Sequence, residues 1–175
     1  MSSTTLKRWD ESGIPLLIAR LVIGGMFVWL GVHKVTDPVE FLKLIRQYHM
    51  VPESVPLLLN AMAALLPWIE ICCGVLLIAG IAVRGSALML LVMLTVFTVA
   101  IFMRALGIHS AEHIAFCAIK FDCGCGGGEV YVCRKLPENL GLWLLAWVAL
   151  LSNAYRFCLW RNLIPTHSPW RMEGY

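Results

Sequence analysis

The chain has 175 residues, 59% of them apolar and 14% charged, with a mean hydropathy of +0.77 and a formal net charge of +3. That balance lies outside the range of soluble domains and excludes a separate water-soluble module. So small a net charge also gives no footing for nucleic-acid binding, which leaves a single integral membrane domain, 1–175, in contact with lipid.

Taken in chain order, the first apolar stretch covers 14–33. A bilayer core takes roughly 20 helical residues to cross, and this stretch has that length. It is too long for a signal-peptide core and lacks a small-residue cleavage site, so it reads as a retained helix behind Lys7 and Arg8. Gly24, Gly25 and Gly31 on it point to close helix packing. After it, Asp37-Pro38-Val39-Glu40 is a helix start, with Asp37 as the cap and Pro38 in the first turn. Phe41, Leu44 or Ile45, and Tyr48 recur at helical spacing, which predicts a short interfacial helix, either a lid over the spans or the roof of a substrate or lipid groove.

Further spans are expected at 55–83, 85–103 and 140–160, giving an all-α membrane protein built as a four-transmembrane-helix bundle. Tryptophans lie mostly near the proposed helix ends, as interfacial belts require. An even number of spans puts both termini on one side and the connectors 34–54 and 104–139 on the other. Lys and Arg are too evenly divided to orient the chain. Four of its seven cysteines crowd one loop, 107–138, and this places that loop outside the cytoplasm, where disulfides persist.

Charge inside the spans is scarce. Arg20 lies in the first and Glu70 in the second, just after the kink expected at Pro67, and a lone charge in hydrocarbon costs several kcal/mol. A pair between Arg20 and Glu70 is the simplest way to satisfy both. It serves either as a staple between helices or as a proton relay or part of a cofactor pocket, and Asn60 is a candidate to join it. Cys72, Cys73 and Cys158 read as small buried hydrophobes.

Residues 123–128 read Cys-Gly-Cys-Gly-Gly-Gly, between Asp122 and Glu129. Gly124 removes the clash that would resist bending Cys123 and Cys125 together, and a strained disulfide of this kind is readily exchanged. The flanking runs 114–121 and 129–133 suggest a hairpin. Symmetry about Cys125 would set Cys117 opposite Cys133 as a structural disulfide at its base. Three readings stay open: a dithiol relay at Cys123 and Cys125, with Lys120, Arg134 and Lys135 steadying a thiolate; a structural staple; and a four-thiol zinc site, against which stands the absence of paired C-x-x-C knuckles. No residue is assigned as a metal ligand.

The segment from Arg20 through Gly31-Val-His-Lys34 to Asp37-Pro38, together with Pro67-Trp-Ile-Glu70 and its continuation to Gly80, resembles the DoxX-like family of four-helix membrane proteins. Cys123-Gly-Cys125-Gly ahead of the last helix resembles the MauE-like branch, the methylamine-utilisation membrane proteins. The resemblance implies a bundle in a bacterial cytoplasmic membrane with a redox role, beside thioredoxin-like or secreted partners or quinone-linked oxidoreductases. A quinone would be held among the first three helices, with Arg20, Glu70, Cys123 and Cys125 as matching positions. An aromatic residue usually follows the Cys-Gly-Cys of this branch, whereas Gly126 begins a glycine run here. The competing expectation is a non-catalytic scaffold subunit of a larger oxidoreductase, with its cysteines locked as disulfides.

Overall fold

The computed structural model describes residues 13–48, 56–122, 129–152 and Cys158. Helix α1 spans Ile14–Thr36, α2 Pro38–Gln47, α3 Pro56–Ala79, α4 Val83–Glu112 and α5 Val132–Leu151. A 3-10 turn at Phe116–Ala118 and a two-stranded hairpin, β1 Lys120–Asp122 and β2 Glu129–Tyr131, lie between α4 and α5.

Three of the helices, α1, α3 and α4, are long and apolar enough to cross a membrane. Large side chains such as Leu57, Leu65, Trp68, Val75 and Val92 stand on their outer faces, where lipid rather than water is their solvent. Helix α5 carries Arg134, Lys135 and Glu138 in its first two turns, so its apolar run is shorter. The long helices contact one another in a closed cycle, α1 against α3 and α5, and α4 against α3 and α5. Ile23, Phe27, Leu77, Leu90, Leu94 and Ala146 fill the space between them.

Helix limits depart from the expected spans at three places. The second span does not continue to 83, because Gly80 takes a left-handed φ of 74° and Ile81 N–H donates to Leu76 O at 2.9 Å, a glycine-terminated helix end. Helix α4 runs on to Glu112 instead of stopping at 103. Its 30 residues measure about 45 Å, longer than a bilayer core of about 30 Å. Helix α5 begins at Val132, not 140, and the stretch between helices shrinks from 107–138 to 113–131.

Helix α1 meets α3 through glycine. A Cβ on Gly24 would lie 2.7 Å from Gly74 O, and one on Gly74 would lie 2.8 Å from Gly24 O, so the two backbones touch. Gly31 repeats the contact against Pro67 O, whereas Gly25, expected to share this role, faces open space. Helix α2 begins as its sequence requires, with the Asp37 side chain accepting from Glu40 N–H at 3.1 Å. It lays Phe41 and Ile45 onto Leu59 and Ala63 of α3.

Candidate functional site

The two connectors meet at one end of the helices. Strand β1 pairs antiparallel with β2 in the register Lys120 to Tyr131, Phe121 to Val130 and Asp122 to Glu129. Phe121 and Ile119 turn inward onto Ile101, Ala105 and Val132. Arg104 ties this cap to α2: Nη1 donates to Gln47 O at 2.6 Å, and the guanidinium lies over the rings of Tyr48 and Phe121 at 5.3 and 5.4 Å. Burial pushes the Tyr48 phenol up to about 12, against the pull of Arg104.

Cys117 and Cys133 are joined as a disulfide, with Cα atoms 5.0 Å apart. The expected hairpin symmetric about Cys125 is corrected. The strands are only three residues long, Cys117 sits in the 3-10 turn, and Cys133 sits in the first turn of α5. The bond therefore clamps a turn to a helix instead of crossing between strands. It also removes two of the four thiolates that a zinc site would require. Closing a loop of this size is worth about 3 kcal/mol. The double substitution Cys117→Ser/Cys133→Ser should lower the unfolding free energy by about that amount, read from thermal melts in detergent with and without reductant.

Cys123 and Cys125 lie outside the described residues; their neighbours Asp122 and Glu129 face each other at the end of the hairpin. The three cations expected to steady a thiolate are otherwise engaged. Lys120 lies over the Tyr131 ring at 4.5 Å, Arg134 pairs with Glu138 at 3.1 Å, and Lys135 is buried against the interior.

Arg20 and Glu70, both 1% exposed, do not pair. Because α1 and α3 run antiparallel with Gly24 against Gly74, the early turns of α1 are level with the end of α3. Arg20 therefore donates from Nε to Leu77 O at 2.8 Å and from Nη2 to Ile78 O at 2.7 Å, occupying carbonyls of the last turn, while Nη1 reaches Cys158 Sγ at 3.3 Å. Glu70, level with the end of α1, takes Lys34 instead, Nζ to Oε1 at 2.5 Å. The Lys34 ammonium also lies over the rings of Phe41 and Phe97 at 5.0 and 4.6 Å. Asn60 is exposed and takes no part.

Lys34 lines two cavities, and a third lies against the Phe41 and Phe97 rings that flank it. A polar vestibule of about 210 Å³ is lined by His33, Lys34, Asp37, Glu40 and Asp122, the last being the residue before Cys123. A buried cavity of about 40 Å³ holds Lys34 and Glu70 against Lys135 and Asn139. An apolar groove of about 240 Å³ runs under α2 between α3 and α4, and shares Phe41 with the vestibule and Phe97 with the buried cavity. Sequence reasoning assigned Lys34, Arg104, Lys135 and Asn139 to the outer connectors and gave only Lys135 a role, beside the thiols. The spacing of Gly31 and Lys34, three residues apart and hence on one helix face, is the signal that would have turned Lys34 inward.

Neither a curated protein nor a solved structure matches the chain. A match to one family, described as methylamine utilisation protein MauE, extends over residues 12–152, from the start of α1 to the end of α5. With a mostly helical membrane architecture and a match over most of its length, the chain belongs to the MauE family of integral membrane proteins.

Proposed function

We propose that this protein is a membrane thiol–disulfide relay in which Cys123 and Cys125 are the exchanging pair, serving a thioredoxin-like or secreted partner outside the cytoplasm. The observation that carries the reading is the Cys117–Cys133 bond. With the outer cysteines committed to clamping the cap, the inner two are left for exchange, on the connection between paired Asp122 and Glu129. In the exchange, one inner thiolate attacks a partner disulfide sulfur, the partner's other sulfur leaves as a thiolate, and the second inner cysteine resolves the mixed disulfide. The partner departs as a dithiol and Cys123 and Cys125 remain as a disulfide; the reverse sequence oxidises the partner. A disulfide-bearing cap belongs in an oxidising compartment, which supports an extracytoplasmic cap on a bacterial cytoplasmic membrane. Helix α5 would open the fourth crossing of a single-domain, four-helix bundle.

A quinone suits the residues present. The groove under α2 is lined by apolar side chains and the rings of Phe41, Tyr48 and Phe97, and the Lys34 ammonium lies over two of those rings, Phe41 and Phe97. Bound there, a quinone would supply a two-electron, two-proton acceptor for a dithiol. The groove's side chains would hold its ring and tail out of water.

Cys123→Ser and Cys125→Ser should each abolish redox cycling of the cap, followed by thiol-alkylation mobility shifts in cells, while insertion and the Cys117–Cys133 bond persist. Full cycling in both variants, or inner cysteines blocked under every redox condition, would replace the relay with a non-catalytic scaffold subunit.

A further inference from the structure

Glu70 uses only one of its carboxylate oxygens. Oε1 accepts from Lys34 Nζ, whereas Oε2, on a residue 1% exposed, has no partner among the described residues. An unsatisfied buried carboxylate oxygen is expensive, and what it lacks is a hydrogen-bond donor. The cavity of about 40 Å³ beside it is lined by three further buried polar residues, Lys34, Lys135 and Asn139. Each water needs about 10–15 Å³ and a few polar partners, so this space takes roughly two to four. The occupant that fits the volume and the missing donor is water.

Lys34 also lines the open vestibule, with His33, Asp37, Glu40 and Asp122. The rings of Phe41 and Phe97 flank its ammonium, so the polar directions left to it are Glu70 and the vestibule. Both compartments are therefore lined by Lys34.

We propose that Lys34 and Glu70 form a proton-exchange site, in which proton-carrying water of the vestibule is connected through the Lys34 amine to the Glu70 carboxylate and the water it holds. In one transfer an N–H bond of Lys34 breaks and an O–H bond forms on Glu70, leaving a neutral amine. A vestibule hydronium then reprotonates the amine and becomes water, so one proton has moved from the vestibule to Glu70. The groups facing Glu70 are Lys34 from α1 and Lys135 from α5, with Glu138 behind Lys135 at 3.5 Å. Helix α4 presents Leu94, Phe97 and Ile101, none of which titrates, and His33, Asp37, Glu40 and Asp122 supply the titratable groups of the vestibule. This site goes beyond the thiol relay and does not require it.

The test is infrared difference spectroscopy of the full chain in lipid nanodiscs, between mildly alkaline and mildly acidic buffer. A buried protonated-carboxyl band should appear on acidification, move to lower frequency when the wild-type protein carries carbon-13-labelled glutamate, and vanish in Glu70→Gln. Arginine holds its proton throughout and cannot pass it on, so Lys34→Arg should slow formation of the band after a pH jump by at least about tenfold. The double variant Cys123→Ser/Cys125→Ser should keep the band, so that failure of the relay and failure of the proton site give different results. Absence of any label-sensitive carboxyl band in the wild type, survival of the band in Glu70→Gln, or an unchanged rate in Lys34→Arg would overturn the site.

Discussion

Lys34→Met should lower the stability of the protein by about 3–5 kcal/mol, while Lys34→Met/Glu70→Met should recover most of the loss. The single change leaves Glu70, 1% exposed in the middle of α3, with neither of its oxygens partnered among the described residues. A buried pair is costly to assemble, but removing one member is costlier, since the remaining charge keeps its desolvation penalty and loses its compensation. The double change replaces both charges by flexible apolar chains that fit between Phe27, Leu94 and Phe97. Denaturant unfolding in mixed micelles, monitored through tryptophan fluorescence, reads both variants. Equal stability of the single variant and wild type would mean that Glu70 is not held by Lys34.

The second large effect is expected at the α1–α3 crossing. Gly74→Leu places a Cβ 2.8 Å from Gly24 O and 2.8 Å from Val28 Cγ2, closer than real side chains approach. A side chain can swing away, but a backbone carbonyl cannot without moving its helix. The cost should reach the upper end of the overpacking range, about 3 kcal/mol. Separating the helices also draws Lys34 away from Glu70, because both contacts lie along the same crossing. Gly25→Ala is the matched control: it faces open space and removes a poor helix former, so it should be neutral or gain up to about 1 kcal/mol. Thermal melts of the three proteins in one detergent decide this, and a Gly74→Leu protein as stable as wild type would show that the backbones do not touch.

The reading of α2 shows which features can be taken from sequence. Asp37, Pro38 and the spacing of Phe41 and Ile45 specify the start and the buried face within a few neighbouring residues, and those local interactions form as written. Glu70 shows the opposite case. Its burial follows from its place in an apolar run, but its partner depends on which turn of another helix lies beside it. Arg20 and Lys34 are both on α1, and the antiparallel crossing at Gly24 and Gly74 sends Arg20 to Leu77 and Ile78 and Lys34 to Glu70. The cap behaves likewise. Cys117 and Cys133 stood out as a pair, but the assumed register was off by one, since Lys120 pairs with Tyr131 rather than Val130, and both cysteines lie beyond the three-residue strands. Arg104 and Lys135, assigned to an outer connector, prove to be a clasp between connectors and a wall of the buried cavity.

By itself the sequence determined that this chain lives in a membrane, that its long apolar stretches form helices, and which cysteines and charges are unusual. These are properties of composition and of contacts between residues a few positions apart, and a hydrocarbon solvent leaves an isolated segment little choice but a helix. Only the tertiary structure decided that Lys34 rather than Arg20 answers Glu70, that Arg20 instead satisfies the end of α3, and that Lys34 lines both the vestibule and the cavity beside Glu70. Those outcomes depend on how far each helix slides along its neighbour, and that distance is set by glycine contacts between residues some fifty positions apart in the chain.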